Sequence, residues 1–431
     1  MIRRLAGASL ALLLAAGPVA AAPACRGADG HAAEFGGRRT FLLRPDVMGE
    51  VKRAGPNAPG VSAAWRAVVE RADAALAGPL YSVVAKTRTP PSGDKHDYMS
   101  MGPYWWPDPA KAGGEPYVRR DGQVNPERDG PAFDVTALDA MSSAVEALSI
   151  AYFLTDDPRY ATKAAELVRA WFLAPATRMN PNAQFAQGVP GRTPGRAEGV
   201  LDTYRLIRVV EGVGLIAPSG ALSPAEEAAL RRWFADYADW MTTSANGREE
   251  GQAGNNHGLW YDLQPAQFSL FAGRPDVARD VVSRFVEARI AVQTAPDGSL
   301  PHELQRTRAL HYTVFALQPA AGVADLGRCL GVDVWGATSR NGRSLRAAVD
   351  FLLPYVGREA AFPYPERSPG PSDEMLEVFA RAALAYGDPR YAEAAARTAR
   401  RRPQSDLLLT VAPPALATGG GPGHPAPGER R

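Results

Sequence analysis

The sequence predicts an all-α protein, an (α/α) toroid, incomplete or complete, built from antiparallel helical hairpins. Three observations predict it. Alanine-rich amphipathic segments recur along the chain with helical starts and without clear strand alternation between them. A short breaker motif returns: "TDDPRYATKAAELVRAWF" at 155–172 and "YGDPRYAEAAARTARRR" at 386–402 share Asp-Pro-Arg-Tyr-Ala, and "AGRPDVARDVVSRFVEA" at 272–288 repeats the proline at the first helical turn. Two long irregular stretches, rich in Pro, Gly and aromatic residues, interrupt the helices. Repeated hairpins suit an open solenoid as well as a closed ring. A plain solenoid, however, has no need of so much non-repetitive chain.

Taken in order, residues 1–22 read as a secretory signal: Arg3 and Arg4, an apolar run from Leu5 to Ala16, then small residues around Ala20 to Ala22. The run is too short for a membrane span, so no integral membrane segment is expected once the signal is removed, and the expected location is secreted, in the periplasm. Cys25 and Cys329 are the only thiols. Either they form a single disulfide in an oxidising compartment or Cys25 is a lipoprotein cysteine, although Ala22-Pro23-Ala24 before it lacks the usual branched residue. Residues 23–410 form the expected catalytic domain, with helices at 62–76, 136–154, 223–241, 275–292 and 373–386. Ser223, followed by Pro224 and Glu226, marks one start as an N-cap with a capping box. Residues 411–431 read as a disordered tail.

Residues 86–130 have no helical period, and a stretch of that length is usually functional or disordered. Tyr98, Tyr104, Trp105, Trp106 and Tyr117 argue for order. Charge excludes one class of partner: Lys plus Arg number 48 against 46 Asp plus Glu, too even a balance to hold nucleic acid by a global field. The six histidines show no clustered metal-ligand spacing, and neither a G-x-S-x-G elbow nor a phosphate loop is present. No metal or other cofactor is expected, and nothing in the sequence speaks to oligomeric state.

Two short stretches carry the chemistry. "NNHGLWYD" at 255–262 puts Asn255, Asn256 and His257 at the mouth of an apolar helix, and "SLPHELQRTRALHYTVFAL" at 299–317 crowds Glu303, Arg306, Arg308, His311 and Tyr312 into a few residues. A helix starting at Arg308 would stack His311 and Tyr312 on one face with it. A guanidinium beside a phenol favours the phenolate, making Tyr312 a candidate base. Amides, guanidinium and imidazole are the donors needed to stabilise the enolate-like charge that forms when a proton is removed next to a uronate carboxylate. Each residue also has a plainer role: the asparagines as helix caps, His257 and Tyr312 as core, Arg308 as an ion-pair partner of Glu303, and Tyr104, Trp105 and Trp106 as packing.

The combination of "NNHG", "ELQRTRALHY" and "KHDYMSMGPYWWPDP" resembles the alginate lyase superfamily of helical-toroid polysaccharide lyases, over about residues 45–400. The resemblance implies an α/α toroid and β-elimination on an acidic polysaccharide. Carried onto this chain, it makes Asn256 and Arg306 carboxylate neutralisers, His257 a neutraliser or base, and Tyr312 acid and base. Expected substrate contacts are Lys95, His96, Tyr98, Tyr104, Trp105, Trp106, Gln187, Tyr204, Arg205, Asn255, Arg308 and His311. Alginate is the first substrate and glucuronan or another polyuronate the second. Two rivals remain: a toroidal glycoside hydrolase using two of Glu303, Asp262 and Glu198, and a non-catalytic protein that only holds acidic glycan.

Overall fold

A computed structural model of the chain describes residues 24–367 and 373–414. The expected signal, 1–22, and most of the expected tail lie outside these residues. The helices are α1 (Pro45–Ala54), α2 (Ser62–Ala77), α3 (Val135–Thr155), α4 (Pro158–Val168), α5 (Leu206–Ile216), α6 (Pro224–Thr243), α7 (Ala245–Glu250), α8 (Asn256–Phe271), α9 (Pro275–Phe285), α10 (Ala291–Gln293), α11 (Pro301–Leu304), α12 (Ala309–Leu330), α13 (Leu345–Leu352), α14 (Asp373–Tyr386), α15 (Pro389–Arg401) and α16 (Leu407–Thr410).

They form two layers. Neighbouring contacts run α3 to α5 to α8 to α12 to α14, and α1 and α16 bridge the gap back toward α3; α2, α4, α6, α9, α13 and α15 pack outside. Sequence pattern explains which helix goes where. In α8 and α12 nearly every turn is apolar on all faces, and both are buried almost throughout. On α15 the buried residues are Tyr391, Ala394, Ala395, Ala396, Thr398 and Ala399, confined to one side of the helix. α3 is long and apolar enough to cross a membrane, yet it packs among α2, α4 and α5.

The repeated motif acts through its chemistry. Asp157 and Asp388 cap their helices by accepting from the Arg159 and Arg390 amides, and the prolines stand in the first turn. The tyrosines then reach inward, with the Tyr160 hydroxyl 2.7 Å from Asp73 and that of Tyr391 2.9 Å from Asp350. The third copy keeps Pro275 but has Arg274 at the cap, without a side-chain cap bond. Ser223 and Glu226 form the expected capping box.

Between α2 and α3 the long loop is ordered around four short strands, β1 (Met99–Met101), β2 (Trp105–Trp106), β3 (Val118–Arg119) and β4 (Phe185–Gly188), the last from the second irregular stretch. β1 pairs with β4 in parallel, β2 with β3 antiparallel. Lys86 and Asp134, both buried, pin the ends of this loop together at 3.0 Å. Cys25 and Cys329 form a disulfide tying the N-terminal segment to the end of α12, so the lipidated-cysteine alternative is corrected: that sulfur is already bonded. Val411 and Ala412 are buried with the core, because α16 carries the chain back under α1 and α14; packing continues past residue 410.

Candidate active site

A cleft of about 1480 Å³ opens among β2, α5, the α7–α8 turn and the start of α12. Its residues are set by how α8 and α12 begin. Asn255 is the N-cap of α8, its side-chain oxygen accepting from the His257 amide at 3.1 Å. Asn256 is 1% exposed. Glu303 of α11 accepts from its backbone amide at 2.6 Å and from its side-chain nitrogen at 2.8 Å. His257 Nδ1 lies 2.6 Å from Glu250 Oε1, and that glutamate is 2% exposed. Gly258 must be glycine: a Cβ would sit 2.1 Å from the Ala253 carbonyl and 2.6 Å from the Arg289 guanidinium.

Across the cleft, Arg306 lies with its guanidinium carbon 3.7 Å from the centre of the Tyr312 ring. Asp121, from the long loop, holds it at 3.0 Å and also takes a hydrogen bond from Thr307. The Tyr312 hydroxyl is hydrogen-bonded to that of Tyr104. Tyr312 is 5% exposed. Burial, then the neighbouring Tyr104, push its pKa up, and Arg306 opposes this without prevailing. The expectation of an easily formed phenolate is therefore corrected for the resting site: the guanidinium acts in the expected direction, but desolvation is larger. His311 stacks on Phe315. Burial, then Arg308 and Arg306, lower its pKa to about 4, so it is neutral at neutral pH.

A wall of aromatics continues inward, where Tyr204 lies 4.5 Å from Trp260 and Trp260 5.1 Å from Phe315 between ring centres. Tyr204 and Arg205 both line the cleft, Arg205 bridging to Asp139 at 2.7 Å. Gln187 also lines it, in an unusual backbone conformation with φ of 48°. Its amide nitrogen donates to Asp202 at 2.9 Å and its side-chain oxygen accepts from Arg196 at 2.8 Å. Trp105 faces the cleft with the Arg192 and Arg196 guanidinium groups over its ring.

The structure thus brings together Asn256, His257, Arg306, Tyr312, Tyr104, Trp105, Gln187, Tyr204, Arg205, Asn255 and His311. It corrects five expected contacts. Trp106, next to Trp105 on β2, points the other way, as strand alternation requires, and donates to the Gln123 carbonyl. Tyr98 is fully buried with its hydroxyl on Asp202. Lys95 donates to the Lys86 carbonyl and His96 Nδ1 meets the Arg178 carbonyl, both holding loop backbone outside the cleft. Arg308 precedes α12 as its N-cap residue, in non-helical backbone, and is absent from the cleft lining. Glu303, read as its ion-pair partner, binds Asn256 instead.

The carboxylates proposed for hydrolysis are engaged too: Asp262 in a bidentate bridge to Arg289, Glu198 with Arg196. Sequence reasoning missed Glu250, Asp121, Asp202, Arg196, Trp260 and Phe315. Trp260 and Phe315 were readable, lying three residues beyond His257 and Tyr312 on the same helices; the others are joined to the site only by folding.

Helical hairpins closing around a deep, charged and aromatic cleft define the class, an α/α toroid of the polysaccharide-lyase kind. A family described as alginate lyase matches residues 82–362, and the chain belongs to that family. An alginate lyase from Bacteroides ovatus is 37% identical, with a TM-score of 0.82 over 87% of this chain and 99% of that one. A histidine variant of alginate lyase A1-III complexed with tetrasaccharide is 17% identical, with a TM-score of 0.50 over 79% of this chain and 92% of that one, a likeness of fold. The alginate lyase of Pseudomonas syringae pv. tomato is 30% identical over 134 residues. That match spans 31% of this chain and only 34% of the curated relative.

Proposed function

We propose that the chain is an exported polysaccharide lyase that cleaves a uronic-acid polymer, alginate first and glucuronan second, by β-elimination without a catalytic metal. The observation that carries this reading is the convergence of Arg306, Tyr312 and His257 on one cleft, within a chain whose relatives are alginate lyases.

Arg306, already oriented by Asp121, meets the uronate carboxylate, and Asn256 keeps a second amide hydrogen for it beyond the one given to Glu303. Together they stabilise the charge that builds as the C5 proton leaves. His257, through the ring nitrogen not bonded to Glu250, accepts that proton. Tyr312 holds its own proton in the resting site, because burial and Tyr104 favour the neutral phenol, and so is suited to protonate the departing oxygen. The C5–H electrons become the C4–C5 double bond, the C4–O bond breaks, and the leaving oxygen carries away a proton. Trp105, Tyr204 and Trp260 offer faces for the sugar rings. Export is supported by the N-terminal Arg3-Arg4 and Leu5–Ala16 pattern and by the Cys25–Cys329 disulfide.

The test is ultraviolet absorbance of the unsaturated uronate during incubation with alginate, glucuronan, hyaluronan and pectate, with chelator present. A rise on alginate or glucuronan, unaffected by chelator, is expected. New reducing ends without absorbance would instead establish hydrolysis, and binding without either product would leave a glycan-holding protein.

A further inference from the structure

His257 is the cleft imidazole whose state decides what it can do, and the group that sets it comes from a different helix. Glu250 closes α7, seven residues earlier. It is 2% exposed, against 19% for the histidine side chain, so the carboxylate sits behind the ring, away from solvent. We infer that Glu250 is a positioning residue: its carboxylate keeps the His257 proton on Nδ1 and turns Nε2 toward the cleft as an open acceptor.

The geometry is built, not incidental. An ionised carboxylate can only accept a hydrogen bond, so the 2.6 Å contact requires Nδ1 to be the donor. The turn between the two residues is clamped by Arg289, which donates to the Gly251 carbonyl at 2.8 Å and the Ala253 carbonyl at 3.1 Å while gripping Asp262 of α8 through both carboxylate oxygens. Gly258 lets that guanidinium approach the helix. Neighbouring Asn256 is held in the same manner by Glu303. Charged groups on the elements packed around His257 include Glu250 and Glu249 of α7, Arg289 with Asp262 behind the turn, Glu303 of α11, and Arg306 and Arg196 in the cleft wall. Of these, Glu250 is the one bonded to the ring.

The kinetic part of this inference rests on the lyase reading; the tautomer does not. Nitrogen-15 spectra of the histidine side chains in the full chain, with His257→Gln to assign the signal, should show the Nδ1-protonated form at neutral pH. Glu250→Ala should lose that preference and lower kcat roughly 100-fold, with KM little changed. Glu250→Gln keeps an acceptor without the charge and should recover much of the rate. A purely structural role predicts that Glu250→Ala leaves the Nδ1-protonated form in place and changes KM along with kcat, and that result overturns the inference, as does an Nε2-protonated His257 in the wild type. Should the wild type cleave no uronate polymer, the lyase reading fails, and the spectra still decide the role of Glu250.

Discussion

Residues 255–262 and residues 86–130 both looked, as sequence, like places where sugar is handled, and folding treats them differently. In the first, most of the polar groups face or support the cleft: His257 on Glu250, Asn256 on Glu303, Asn255 capping the helix between them. In the second, Lys95, His96, Tyr98 and Trp106 are used to hold the loop's own backbone and core, and Tyr104, Trp105 and Asp121 reach the site. Beyond its first turn a helix satisfies its backbone internally, and on α8 Asn255 and Glu303 cover the first amides, so the remaining side chains are free to act. A long loop must find partners for its own amides and carbonyls first. Aromatic richness in a loop is therefore a weak guide to ligand contact, while polar residues at the start of a buried helix are a stronger one.

The sharpest test of this contrast lies on the helical side. Tyr312→Phe removes the hydroxyl shared with Tyr104 and should lower kcat by about 10²- to 10⁴-fold, with the fold intact by circular dichroism. Retained turnover would move the chemistry elsewhere. Next comes Arg306→Gln, expected to cost on the order of 10²-fold or more in kcat/KM. Asp121→Asn, which leaves the arginine in place but loosens its hold across the loop, should cost about 10-fold. An Asp121 variant as damaged as Arg306→Gln would mean the loop contributes more than orientation.

Smaller effects separate the two neighbours on β2. Trp105→Ala should raise KM about 10-fold through the lost stacking face. Trp106→Ala should leave KM alone and lower the melting temperature by a few degrees, since it removes the Gln123 hydrogen bond and the stack under Arg120. Equal KM changes in both would break the contrast.

The mildest prediction concerns His311, whose folded pKa is about 4 against an ordinary 6.5. A depressed histidine takes up its proton more readily when unfolded. Its contribution is therefore fully present above pH 6.5 and is lost as pH falls toward 4. Denaturant titrations of His311→Gln over that window should show a flatter pH slope than wild type, by on the order of 2 kcal/mol in total. An unchanged slope would place the acid sensitivity in other groups.

Much of this molecule was legible in the sequence by itself. Helix starts were readable because a cap is local chemistry: Asp157, Ser223 and Asp388 each satisfy amides within three residues. The hairpin repeat follows from those caps, and with it the class of fold. His257 at the start of α8, and Arg306 with Tyr312 at the start of α12, were readable as two clusters because short spacing constrains each, whereas their meeting in one cleft was left to folding. Tertiary structure decided everything that depends on chain segments meeting from far apart. It chose Asp121 for Arg306 and Tyr104 for Tyr312, across separations of 185 and 208 residues, and joined Cys25 to Cys329. It also turned Tyr312 from a residue expected to ionise easily into one that keeps its proton. Spacing shows which charge is near a phenol, but only packing determines how much water is left around it, and here desolvation is the larger effect.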